Sequence, residues 1–186
     1  MRRRIFARDE LWDIAEGQHG FVTIRQANDA GVSSPAVRML GRRGSLEKVA
    51  HGVYRIVQFP RSPRDEYALA LLWTGAEEAA ISHESALYVH GLIDRPPRDI
   101  HVTVAAHRRI RRAGGELYIL HYADRDPGDI MTHEGIRVVS CPVAFEQCIA
   151  AGQTAEFIHA MTERARVLGL LTLEQSADFL RHPSPA

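Results

Sequence analysis

A chain of 186 residues can build one medium domain or two small ones, and its 45% hydrophobic and 25% charged content is that of a globular protein. No apolar run reaches the length of a membrane span, which excludes an integral helical membrane protein. The formal net charge of zero hides an asymmetry: residues 1–64 carry twelve basic and six acidic side chains, so this head is +6 and the rest is −6, pointing to a polyanion partner for the head alone.

Arg2, Arg3 and Arg4 form a short basic arm, suited to a minor groove or to disorder. Charged residues rather than an apolar stretch follow it, so no signal peptide is read there. Leu11, Trp12, Ile14 and Ala15 have helical spacing, closed by Gly17 and Gly20, and Phe21 and Val22 make a brief extended step. Thr23 and Gln26 have capping-box spacing for a second helix that ends at Gly31. The tight interval from Asn28 to Val32 sets two short helices at an angle, as in a helix-turn-helix.

The next stretch, SSPAVRMLGRRG, starts a third helix: a serine pair offers the N-cap oxygen, Pro35 suits the first helical position, and Gly41 and Gly44 punctuate the end. At 3.6 residues per turn Val37 and Leu40 share one face while Arg38 and Arg42 fall on the other. That polar face is either a solvated basic surface or the reading face of a recognition helix, where the planar fork of arginine fits guanine. Two runs rich in β-branched and aromatic residues, 46–49 and 53–56, flank Ala50-His51-Gly52 and read as a hairpin. Helix, helix, helix, hairpin is a winged helix. Its candidate DNA contacts are Ser33, Ser34, Arg38, Met39, Arg42 and Arg43 on the helix, with Lys48, His51 and Arg55 around the wing.

Residues 20–56, GFVTIRQANDAGVSSPAVRMLGRRGSLEKVAHGVYRI, resemble the N-terminal winged-helix domain of the AbiEi family, the antitoxins of type IV abortive-infection toxin-antitoxin systems. The matching steps come in order: Gly20 with Thr23, the Gly31-Val32-Ser33 turn, Arg42 to Leu46, and Gly52-Val53-Tyr54-Arg55. The resemblance implies DNA binding, repression of the chain's own operon, phage defence, and a second domain that counteracts a nucleotidyltransferase-like toxin.

FPRSPR, residues 59–64, is Pro-rich and basic and reads as the linker, dividing the chain into domains 1–60 and 61–186. A helix is expected from Asp65 to Trp73, and Ala80 to Glu84 leads into another that stops at Gly91. Extended runs follow at 100–104, 116–120 and 136–139, then helices at 143–151, 154–168 and 172–180 and a frayed end at 183–186. Ser82-His83-Glu84-Ser85-Ala86-Leu87 and Gly135-Ile136-Arg137-Val138 resemble the family's second half, although many relatives carry an Arg-Thr pair where this chain has Pro142-Val143-Ala144-Phe145. The expected class is α+β: a winged helix-turn-helix, then an α/β domain with a small mixed sheet and C-terminal helices.

An enzyme is not expected. Ser82, His83 and Glu84 are consecutive and point in different directions, so they form no triad by themselves. His83 and His90, two turns apart, face one way but lack a third ligand, so neither a metal nor a cofactor is assigned. No Walker loop, HExxH or GxSxG is present, and no carboxylate cluster of the nucleotidyltransferase kind is apparent. Cys141 and Cys148 lack CxxC spacing and read as packing residues of a reduced, cytoplasmic protein. Arg108, Arg109, Arg111 and Arg112, between two extended runs, read either as a solvated hairpin loop or as a grip on phosphate or on an acidic toxin surface.

The expected function is therefore a DNA-binding antitoxin and autorepressor. Its partners are double-stranded operator DNA and the cognate toxin, without a membrane, and it is a monomer in solution or pairs on inverted-repeat DNA. The alternative is a protein-interaction module whose only ligand is the toxin, its winged helix being structural.

Overall fold

The computed structural model describes residues 7–181, so the basic arm and the Pro-rich end at 183–186 lie outside the described residues. The described residues form two compact units, one of residues 7–77 with 109–116 and the other of residues 78–108 with 117–181. The fold is α+β, as its alternation of helical and extended runs implies. Among the described residues no helix is long and apolar enough to cross a membrane.

In the first unit, α1 (Ala7–Glu16), β1 (Phe21–Thr23), α2 (Ile24–Asp29), α3 (Ser34–Arg42), β2 (Leu46–Ala50) and β3 (Val53–Ile56) make a winged helix, followed by α4 (Asp65–Thr74). The strands form an antiparallel sheet in the order β1-β3-β2. The expected capping box starts α2: the Thr23 hydroxyl accepts from Gln26 N at 3.2 Å, and Gln26 Oε1 accepts from Thr23 N at 3.0 Å. Ser33 is the N-cap of α3 by its backbone alone, without a capping bond from its side chain. Leu11, Ala15, Val22, Ala27, Val37, Leu46, Tyr54 and Ile56 fill the core.

FPRSPR is not a free linker, and the expected boundary at 60/61 falls inside the first unit. Its residues are pinned from both sides. Phe59 lies against Trp12, ring centroids 5.5 Å apart, and so close to Gly20 that a Cβ there would come within 2.6 Å of it. Gly20 itself has φ +82, a conformation that favours glycine. Ser62 donates from both its N and its hydroxyl to Asp65 Oδ1, at 3.1 and 2.8 Å. From Ser62 the chain runs directly into α4, which packs on β1 and β3. Trp73 of α4 donates to Ala113 O at 2.9 Å and lies so close to Gly115 that any Cβ there would overlap it, which binds residues 109–116 to this unit.

The second unit holds a five-stranded mixed sheet, β6-β5-β4-β8-β7, built from β4 (Ala80–Ile81), β5 (Ile100–Val104), β6 (Tyr118–Tyr122), β7 (Ile130–His133) and β8 (Ile136–Val139). Its helices are α5 (His83–Val89), α6 (Cys141–Ala150), α7 (Ala155–Val167) and α8 (Leu173–Leu180). Three strands were expected here; β4 and β7 are additional, and β6 begins two residues later than the run at 116–120. Two residues are too few to show a period, yet β4 is the central strand, antiparallel to β5 and parallel to β8. β7 and β8 are joined through Glu134 and Gly135, with φ 48 and 79, the left-handed pair that a type I′ hairpin needs. β5 and β6 pair in parallel, so residues 105–117 are a crossover and the hairpin-loop reading of the arginine cluster is corrected. Cys141 and Cys148 are both buried and unbridged, and burial pushes each thiol up to about 12.

Candidate nucleic-acid interface

Helix α3 turns Val37 fully inward and leans Leu40 on the core, so the opposite face is set by helical geometry. That face presents Arg38, Met39 and Arg42, all exposed; Ser33 and Arg43, which cap the two ends of the helix, are exposed as well, and Ser34 is half-buried and donates to Asn28 Oδ1 at 3.2 Å. Among the described residues Arg38, Arg42 and Arg43 have no carboxylate partner. A guanidinium without an internal partner keeps all its donors for an external anion.

The wing adds a second cationic edge. Lys48 and Tyr54 are register partners and hence share a face of the sheet. The Tyr54 ring lies against Gly41 of α3, so Lys48 emerges on the same side of the sheet as α3. The ladder slips between Lys48 and Ala50, a bulge that sharpens the local twist, and Gly52 accepts at its carbonyl from Ile24 N at 2.9 Å. His51 is exposed at the tip. Helix and wing therefore offer Arg38, Arg42, Arg43, Lys48 and His51 to one neighbourhood of solvent.

Arg55 does not join them. Pairing with Phe21 puts it on the opposite face from Tyr54 and Ile56, where it is 2% exposed. One nitrogen of its guanidinium donates to Phe59 O at 3.1 Å, Pro60 O at 3.0 Å and Asp65 Oδ2 at 3.2 Å, and the group sits 5.8 Å from the centre of the Phe21 ring. The expectation that Arg55 contacts DNA is thus overturned by strand alternation: the residue is a tether between the wing and α4. Asp65, the other half of the tether, carried no sequence signal beyond being an acidic residue in the first turn of a helix.

The second arginine cluster is also partly spent inside the fold. Arg108 grips Glu78 with two nitrogens, at 2.6 and 2.7 Å, and its guanidinium holds the Glu78 carboxyl down at about 2. Arg112 donates to Trp73 O at 2.8 Å. Arg109 and Arg111 are exposed. Arg108 belongs to the second unit, and Arg109, Arg111 and Arg112 to the first.

Residues 9–57 match the family described as "Transcriptional regulator, AbiEi antitoxin". The AbiEi match covers the winged helix from within α1 to just past β3, and it supports an antitoxin with a role in transcriptional regulation. No curated protein matches the chain. Among solved structures the chain is similar to one described as "Crystal structure of RV2827C protein from Mycobacterium tuberculosis", with a TM-score of 0.50 and 15% identity over 100% of this chain and 85% of the other. At that identity the likeness shows the fold alone.

One further cluster lies outside the AbiEi match. His83 and His90, which helical spacing alone would let face one way, do not meet: His90 Nε2 is 2.8 Å from Val139 O, and its ring is edge-on to His133 at 6.0 Å. His83 is instead brought to His101 of β5 and His121 of β6, and ligand nitrogens of all three lie within 4.8 Å of one another. His101 Nδ1 and His121 Nε2 are 3.0 Å apart, and the His83 and His121 rings stack at 3.7 Å. Burial, then the neighbouring imidazoles, push His83 down to about 3 and His121 to about 4, and burial lowers His101 as well.

Proposed function

We propose that this chain is a DNA-binding AbiEi-type antitoxin of a type IV system, repressing its own operon through the first unit and counteracting a nucleotidyltransferase-like toxin. The observation that carries the DNA reading is the set of cations Arg38, Arg42 and Arg43, along α3 and at its end, exposed and, among the described residues, without a carboxylate partner, with Lys48 on the same side of the sheet. In this reading α3 enters the major groove with Arg38 and Arg42 at base edges, Ser33, Ser34, Met39 and Arg43 beside them, and Lys48 and His51 on the flanking backbone. The chain is a monomer in solution or pairs on an inverted repeat. The part of the chain that follows the winged helix meets the toxin, with exposed Arg109 and Arg111 the first positions to alter.

The test is fluorescence anisotropy of the full chain on its own upstream region and on random DNA of equal length. Specific binding should exceed random binding by about 1,000-fold or more at physiological salt. Equal affinity for both DNAs would remove the repressor role, and binding to neither would leave the toxin as the ligand of the whole molecule. Co-expression of the full chain with the adjacent toxin gene, scored by growth, tests neutralisation: continued growth arrest would remove the antitoxin role.

A further inference from the structure

We propose that the imidazoles of His83, His101 and His121 form a three-nitrogen site for a divalent transition metal, with zinc as the first ion to test. The inference stands apart from the DNA reading, since all three residues belong to the second unit. Three protein nitrogens with a fourth position left to solvent is a coordination that zinc adopts in proteins. Imidazole ligands select zinc, copper, nickel or iron over magnesium and calcium.

The fold delivers the three rings from three elements. β4 leads directly through Ser82 into His83, the first residue of α5. His101 and Thr103 lie on one face of β5, and His121 of β6 is the parallel register partner of Thr103, so both histidines occupy the same sheet face. Gln147 of α6 fixes the approach of His83: its Oε1 accepts from His83 N at 3.1 Å, and its Nε2 lies 3.5 Å from Thr103 Oγ1.

His83 also holds φ at 53, a left-handed conformation that costs a non-glycine residue energy and tends to persist where a side chain is needed in one place. Ser82 Oγ is 3.0 Å from His83 Nδ1, so a hydroxyl accepting from that nitrogen leaves Nε2 with its lone pair for an ion. Zinc–nitrogen bonds of about 2.0–2.1 Å put tetrahedral ligand atoms roughly 3.3 Å apart. The 3.0 Å between His101 and His121 is already close to that, and the 4.8 Å bound on the whole set closes by ring rotation at these two half-buried residues. The charges acting on the cluster are mixed: Glu84 and Asp99 act attractively on His101, while Arg125 opposes at His83.

The experiment uses untagged full-length protein stripped with chelator and titrated with zinc by calorimetry. One zinc per chain is expected at this site. His101→Ala and His121→Ala should each weaken it by more than about 100-fold, beyond what loss of an outer-shell partner causes. His107→Ala, an exposed histidine outside the cluster, should leave it unchanged. Absence of stoichiometric zinc, or its retention in the His101→Ala, His121→Ala double variant, overturns the proposal. A second readout needs no variant: in a histidine-labelled nitrogen NMR spectrum of the wild-type chain, three ring systems should move together on zinc addition. Movement of any other set overturns the assignment equally.

Discussion

The arginines from Arg38 to Arg43 and those of residues 108–112 look alike as text, since both are basic runs followed by glycine or alanine. In the fold they differ. Among the described residues Arg38, Arg42 and Arg43 stand exposed without a carboxylate partner, whereas Arg108 is clamped on Glu78 and Arg112 on the Trp73 carbonyl. Arg55, within the wing, is at the far end of this scale, buried against Asp65. A guanidinium is available to an outside anion only when no internal acceptor reaches it, and acceptors arrive from residues distant in sequence.

The largest effect that tests this contrast is at the buried pair. Arg55→Met leaves the Asp65 carboxylate without its counter-charge and should cost about 3–5 kcal/mol of stability in chemical denaturation. Adding Asp65→Leu should recover much of that loss, and the folded fraction should keep the wild-type salt dependence on DNA. A cost below about 1 kcal/mol would mean that the pair does not tether α4. The same tether predicts that a fragment cut after Arg64 loses stability, because the cut removes Asp65.

Next in size is the exposed side of the comparison. Arg38→Ala should weaken binding to the operator by about 1–3 kcal/mol and change binding to random DNA little. An equal loss on both would make Arg38 a phosphate contact, and no loss on either would remove α3 from the interface. Lys48→Gln should lower the log-log salt slope of binding by about 0.9, which a titration across salt concentrations reads directly. An unaltered slope would detach the wing from the backbone.

The smallest effect belongs to the clamped pair. Because the Glu78 carboxyl is lowered from 4.5 to about 2, its contribution is complete above pH 4.5 and is lost as pH falls toward 2. The pair is part-exposed, so the contribution is about 0.2–1 kcal/mol. Comparing thermal midpoints of the wild type and Glu78→Gln across that window should show the gap between them closing with acid. A gap that widens would reverse the assignment.

Several parts of the winged helix could be read without the fold because their causes are local. The Thr23 and Gln26 capping box, the Val37 and Arg38 division of α3, and the Gly52 turn each depend on residues within a few positions. The burial of Arg55 could not be read, since the side it faces follows from a register with Phe21 set by the whole sheet. The pinning of FPRSPR was hidden for the same reason: proline and arginine look like linker residues until Trp12, Gly20 and Asp65 surround them.

The second unit shows the division most sharply. Its sequence determined that apolar runs at 100–104 and 136–139 would be strands and that helices would follow, because side-chain period is a local property. Only the tertiary structure decided that β5 and β6 run parallel, that the two-residue β4 lies between β5 and β8, and that His83 meets His101 and His121 instead of His90. Helical spacing limits which residues on one helix can share a face. It says nothing about which strand lies beside that helix, and that choice follows from burial of the entire sheet, to which every strand contributes.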